Sequence, residues 1–254
     1  MKNLFAADVR RIQWRPMAFI VALVIIIFTL IIGVIVFEHT AKHPFDTRTG
    51  LPNALATATS PLVLVGFVFG ASMFGADCTS RAFTTLLTWE SRRARLLFSR
   101  AVTCGAVLFC ASLAALALLV LVLLPTVVVH GTGDRAAYGS LLALATRSAL
   151  LVAVASALGV SGAAIGRSTT VAVIGAAAYL VMIEQLLVSH APDVGRWLLI
   201  NASLSWIAAS PNASNGPGGV GQGHTIATAG LMLLVAVLVM HALATFVLDR
   251  RDVV

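Results

Sequence analysis

Charged side chains make up 11 % of this 254-residue chain, so the few that flank or interrupt its long apolar runs are where chemistry would reside. The densest group lies between residues 77 and 100, where Arg81, Arg92, Arg93 and Arg95 are interleaved with Phe83, Leu86, Leu87, Trp89 and Glu90. At about 100° per residue, Phe83, Leu86 and Leu87 fall on one face of a helix and Arg81, Thr84, Thr85 and Thr88 on the other. Such a short amphipathic helix has an apolar patch that could hold it against the bundle or a partner. Its arginines would hold the loop on one side of the membrane and meet anionic lipid headgroups, or pair with acidic groups on a partner.

Two further charges fall inside apolar runs, Arg147 and Glu184. An ionised group within a bilayer is costly and as a rule faces a protein interior, a cavity or a partner. Measured from a turn near Ser168, the two lie 21 and 16 residues away on antiparallel helices. That is a depth difference of roughly 7 to 8 Å at about 1.5 Å per residue, within reach of an arginine side chain and some tilt. They read as an ion pair locking two spans near one surface, as a substrate or gating pair, or as two side chains that snorkel separately. His241, placed in an otherwise uncharged run, reads as a hydrogen-bonded core or cavity residue rather than a proton relay.

The chemistries left out are as informative. The sequence has no Gly-x-x-x-x-Gly-Lys-Ser/Thr loop to cradle phosphates, no His-Glu-x-x-His, no paired intramembrane aspartates and no clear Ser/His arrangement. No catalytic or metal site is expected on this chain. Cys104 and Cys110 point to different sides of one helix and Cys78 precedes it, so no disulfide framework is expected.

The elements that carry these residues follow from hydropathy. With 59 % hydrophobic residues and a mean hydropathy of +0.97, the chain is too apolar to hide its side chains in a soluble core. About 20 consecutive apolar residues cross a bilayer core of roughly 30 Å, and backbone groups in lipid must bond internally, so runs of this length must be helices. Six are expected, at residues 16–37, 55–76, 101–129, 141–165, 171–188 and 225–248. The fold class is therefore all-α, a polytopic membrane bundle forming a single transmembrane domain over 1–254.

Lys2, Arg10, Arg11, Arg15, Arg81, Arg92, Arg93, Arg95, Arg100, Arg167, Arg250 and Arg251 would lie on one side, against Lys42, Arg48, Arg135 and Arg196 on the other. The positive-inside rule then places both termini in the cytoplasm. The formal charge of +7 reads as this topology signal rather than as nucleic-acid binding. The first run exceeds a typical signal-peptide h-region and is followed by no cleavage site, so it reads as a retained span.

Residues 1–15 put Phe5, Val9 and Ile12 on one face, as an interfacial helix does, and 77–100 form a cytoplasmic loop. Residues 189–224 form an external loop, with apolar pieces such as 197–200 expected as short interfacial helices ahead of a Pro/Gly/Ser/Asn-rich stretch. Asn201 and Asn212 are sequons in that loop. Gly66-x-x-x-Gly70 and Gly162-x-x-x-Gly166 permit close helix approach within the chain.

The segment Phe74 to Arg100 resembles the corresponding loop of the type-2 ABC exporter permease family. Members carry an acidic residue, then a Gly/Ala-Thr-x-x-Leu-Leu element, then a Pro/Ser and Arg cluster leading into the third span. Asp77, Thr84, Leu86, Leu87, Ser91, Arg92 and Arg95 occupy those places here. Ala82 and Phe83 stand where many members have Gly-Thr, and Ser91 where many have Pro; Trp89-Glu90 resembles an actinobacterial branch. The resemblance implies a permease subunit in the bacterial plasma membrane, exporting an amphipathic or hydrophobic drug, lipid or peptide, as in multidrug efflux. It implies that Arg81, Phe83, Leu86, Leu87, Trp89, Glu90, Arg92, Arg93 and Arg95 couple to a separate ATPase subunit, that a second permease chain completes the assembly, and that ATP and Mg bind the partner rather than this chain.

Competing readings are a self-contained secondary transporter, for which no internal repeat or array of buried ionisable groups is visible, and a membrane sensor or immunity protein on the same scaffold.

Overall fold

The computed structural model describes residue 10 and residues 16–40, 47–79, 93–130, 137–191, 194, 197–208 and 225–250. The helices are α1 (Pro16–Thr40), α2 (Thr47–Thr79), α3 (Arg93–His130), α4 (Ala137–Gly166), α5 (Thr169–Ala178), α6 (Gln185–His190), α7 (Leu199–Ala208) and α8 (Ile226–Arg250), with a π-helical turn, Tyr179–Glu184, joining α5 to α6. No strand occurs among the described residues. Six stretches are long and apolar enough to cross a membrane: Phe19–Val36, Pro52–Cys78, Ala94–Leu124, Leu141–Gly166, Thr169–Leu187 and Ile226–Arg250. The all-helical fold and its six candidate spans match the sequence expectation. The expected interfacial helix at 1–15, apart from Arg10, the amphipathic segment 80–92 and the stretch 209–224 lie outside the described residues.

Within a bilayer, apolar character does not say which face of a helix points inward, because lipid is as apolar as a core. Side-chain size does. α4 is rich in Ala, Gly and Ser, and it is the centre of the bundle: 61 % of its span is buried, against 11 % of Thr169–Leu187. It packs against α2, α3, α5, α7 and α8, while α1 leans on α2 and α3. The large side chains of α1, such as Phe19, Leu23, Ile27 and Ile35, remain outward, as expected of a span facing lipid.

The α2–α4 contact is a backbone-to-backbone seam. A methyl group at Gly70 would strike the carbonyl of Ser156, one at Gly159 the carbonyl of Phe67, and one at Gly66 would lie 3.0 Å from the carbonyl of Val152. The Thr59 hydroxyl donates to its own Leu55 carbonyl at 2.8 Å and shares a hydrogen bond with the Ser148 hydroxyl across the same seam at 2.9 Å. The expected Gly66–Gly70 motif thus packs within the chain. The α4 residues that face it are Val152 and Ser156; the α4 glycine in the seam is Gly159, against Phe67 and Ala71, whereas the nearest neighbours of Gly162 and Gly166 include Ala172 and Val171 of α5.

Several boundaries differ from the sequence reading, among them the start of α2 at Thr47 rather than residue 55 and the two helix ends that flank segment 80–92. α2 continues to Thr79 and α3 begins at Arg93, so both helices run on through charges expected to sit in the 77–100 loop. Of those charges, Asp77 and Arg100 neutralise each other. Asn201, expected to face outward in a loop, is buried on α7 at 7 % exposure and is no accessible sequon.

Candidate functional site

The first place where chemistry-bearing residues converge is the base of the segment 80–92. Asp77, one turn from the end of α2, and Arg100, two turns into α3, form a salt bridge in which Arg100 Nη1 donates to Asp77 Oδ2. The same nitrogen reaches the Met73 carbonyl at 3.4 Å, and the guanidinium carbon lies 5.9 Å from the centre of the Phe74 ring. Both side chains are buried, 7 % exposed for Arg100 and 1 % for Asp77. Breaking such a pair by removing one partner costs about 3–5 kcal/mol, because the other charge is left stranded. The pair therefore ties the ends of α2 and α3 together on either side of the segment, so that a displacement of one helix end is felt by the other.

Sequence reasoning counted Asp77 as a motif position and Arg100 as a topology signal, and did not pair them. A signal was present: the two are opposite charges that border the apolar runs on either side of the 77–100 loop. Of the expected docking residues, Arg81, Phe83, Leu86, Leu87, Trp89, Glu90 and Arg92 lie outside the described residues. Arg93 opens α3, and Arg95 is half-buried just before the clamp.

Glu184 occupies the second place. The expected ion pair with Arg147 is not formed. Instead, the Glu184 carboxylate accepts the backbone N–H of Leu199 at 2.6 Å and that of Ile200 at 3.2 Å, with the Tyr179 side chain as a further hydrogen-bond partner. The physical reason lies in helix termini. The first amides of a helix have no intrahelical acceptor, lipid offers none, and a carboxylate both accepts them and suits the positive end of the helix dipole.

Three features place Glu184 there. The π turn, with its i→i+5 bonds, changes the helical register just before it. Glu184 is 1 % exposed while Val181, Met182 and Ile183 are 50–71 % exposed. The chain also turns back beyond His190, since Leu199 returns to the level of Glu184 after α6 has risen about 9 Å past it.

Arg147 meets the same helix in another way. Its carbonyl accepts the indole N–H of Trp206 at 3.0 Å, so α4 and the π turn hold α7 at two points. His241, on α8, contacts Ser161 Oγ through Nδ1 at 3.4 Å and meets Phe98 edge-to-face at 5.9 Å. This is the hydrogen-bonded core position expected of it, although Nε2 is buried with no partner among the described residues. Neither a protein-family model nor a curated protein sequence matches this chain.

Proposed function

We propose that this chain is the membrane-spanning permease subunit of an ATP-driven exporter of the type-2 ABC kind. On this reading it forms a translocation pathway for an amphipathic or hydrophobic substrate and takes its energy from a separate ATPase subunit. It is a transport subunit and not an enzyme; ATP and Mg belong to the partner, and a second permease chain completes the pathway. Both termini lie on the cytoplasmic face of a bacterial plasma membrane.

The observation that carries this reading is the buried Asp77–Arg100 clamp. The segment whose sequence resembles a coupling element joins two helix ends held together by this buried pair. A soft base would absorb a push from the partner, whereas a clamped one passes it into α2 and α3, and α2 shares a backbone seam with the central α4. The test is affinity purification of the tagged chain from its native membrane in mild detergent. Copurification of an ATPase with Walker motifs supports the reading.

The π turn, the broken α6–α7 connection and the buried Glu184 favour a second reading, a stand-alone secondary transporter, because interrupted helices and buried carboxylates are the usual parts of an ion-coupled site. A chain that purifies without any ATPase, yet moves a solute down an ion gradient in vesicles, would support that alternative.

A further inference from the structure

The seat of α7 is built unlike the other helix contacts. On one side Trp206 lies against Gly230 of α8, so closely that a methyl group there would strike the indole, and on the other its N–H bonds α4 through the Arg147 carbonyl. Ala202 packs with Leu151 of α4 and Leu233 of α8, so α7 fills the cleft between those two spans. Yet the face it turns inward carries polar groups: Ser205 is 6 % exposed and its hydroxyl oxygen has no hydrogen-bond partner among the described residues. Buried polar atoms are ordinarily satisfied, and one that is not marks a seat that is not the best the helix could occupy. The N-terminus of α7 has the strongest bonds of the seat, and they come from the charged side chain of Glu184 at the end of a π turn.

We infer that α7 is a movable plug between α4 and α8 and that Glu184 is the latch that holds it. Seated, α7 has its first amides satisfied by the carboxylate and closes the cleft. Released, it carries Ser205 to water and exposes the α4 and α8 surfaces lined by Leu151 and Leu233. The π turn supplies the give, since its extra residue per turn can be shed or gained as Glu184 swings away. Glu184 is a positioning residue, and the inference stands whether or not the chain works with an ATPase.

The test uses the full-length chain in membranes with a single reactive cysteine. Ser205→Cys introduces a thiol where no hydrogen bond is lost, and the native Cys104, 3 % exposed on α3, reports on the rest of the bundle. Each chain keeps one of these cysteines and has the remaining native ones replaced, and the labelling rate by a membrane-permeant maleimide is followed. Removing charge-assisted bonds with Glu184→Ala should speed labelling at position 205 by about tenfold or more. Glu184→Gln, which retains a carbonyl acceptor for the amides, should speed it less, and labelling at Cys104 should stay unchanged in both. An unchanged rate at position 205 in the alanine variant overturns the latch. So does a parallel rise at Cys104, which would mean that the whole bundle loosens.

Discussion

Arg100 reaches back from α3 to Asp77 on α2 and also caps the Met73 carbonyl, so one guanidinium stitches two helix ends together inside an apolar setting. Their charges cancel where they stand, and it is this pairing that lets α2 and α3 extend past the points at which the apolar runs stop.

The clamp should behave as a buried pair. Asp77→Asn or Arg100→Gln alone should destabilise the chain by about 3–5 kcal/mol, whereas the double change Asp77→Leu with Arg100→Met should recover most of that loss. Unfolding in detergent, followed by circular dichroism against a denaturant, measures all three. Single variants as stable as the parent, or a double variant no better than either single, would contradict a net buried pair.

The α2–α4 seam makes a sharper steric prediction. Gly70→Ala and Gly159→Ala each drive a methyl group into a backbone carbonyl that cannot swing aside, and each should cost about 1–3 kcal/mol. Gly175→Ala on α5 meets nothing within 4 Å and, as a helical Gly replaced by Ala, should be neutral or stabilising by up to about 1 kcal/mol. Thermal midpoints of the purified variants decide it, and equal loss at all three positions would be the wrong result.

Arg167, in the turn between α4 and α5, has φ 52°, a left-handed conformation that costs a side-chain-bearing residue. Arg167→Gly should relieve that strain and stabilise by about 0.5–1 kcal/mol, net of glycine's own entropy cost, while Arg167→Ala should not. A thermal midpoint that rises for the glycine variant alone is the expected outcome.

Most of the fold was visible in the residues, because in lipid the backbone has no alternative to helices and hydropathy marks where they run. The two charge pairs show where such reading succeeds and fails. Asp77 and Arg100 are opposite charges at the first and last positions of the 77–100 loop, so the sequence left them open to pairing. Arg147 and Glu184 differ by about 7 to 8 Å in depth, and the structure uses them separately. What defeated that expectation was the π turn and the return of the chain to α7, neither of which has a periodicity signal. A short apolar helix such as Leu199–Ala208 looks the same in sequence whether it lies at the interface or is seated among spans. The α4 glycine that lies against the α2 backbone was also hidden: Gly159, Gly162 and Gly166 are equally small, and only the rotation of α4 sets Gly159 against Phe67 and Ala71.

The central claim is that force enters through the 80–92 segment and is delivered to a clamped base. Its most direct test is ATPase activity of this chain reconstituted with the ATPase proposed as its partner, compared between the parent and the charge reversal Arg92→Glu/Arg93→Glu. The account expects the parent chain to change the partner's ATPase rate and the reversed chain to lose that effect, or to lose the partner altogether. A partner ATPase that binds and is regulated equally by both chains would contradict it.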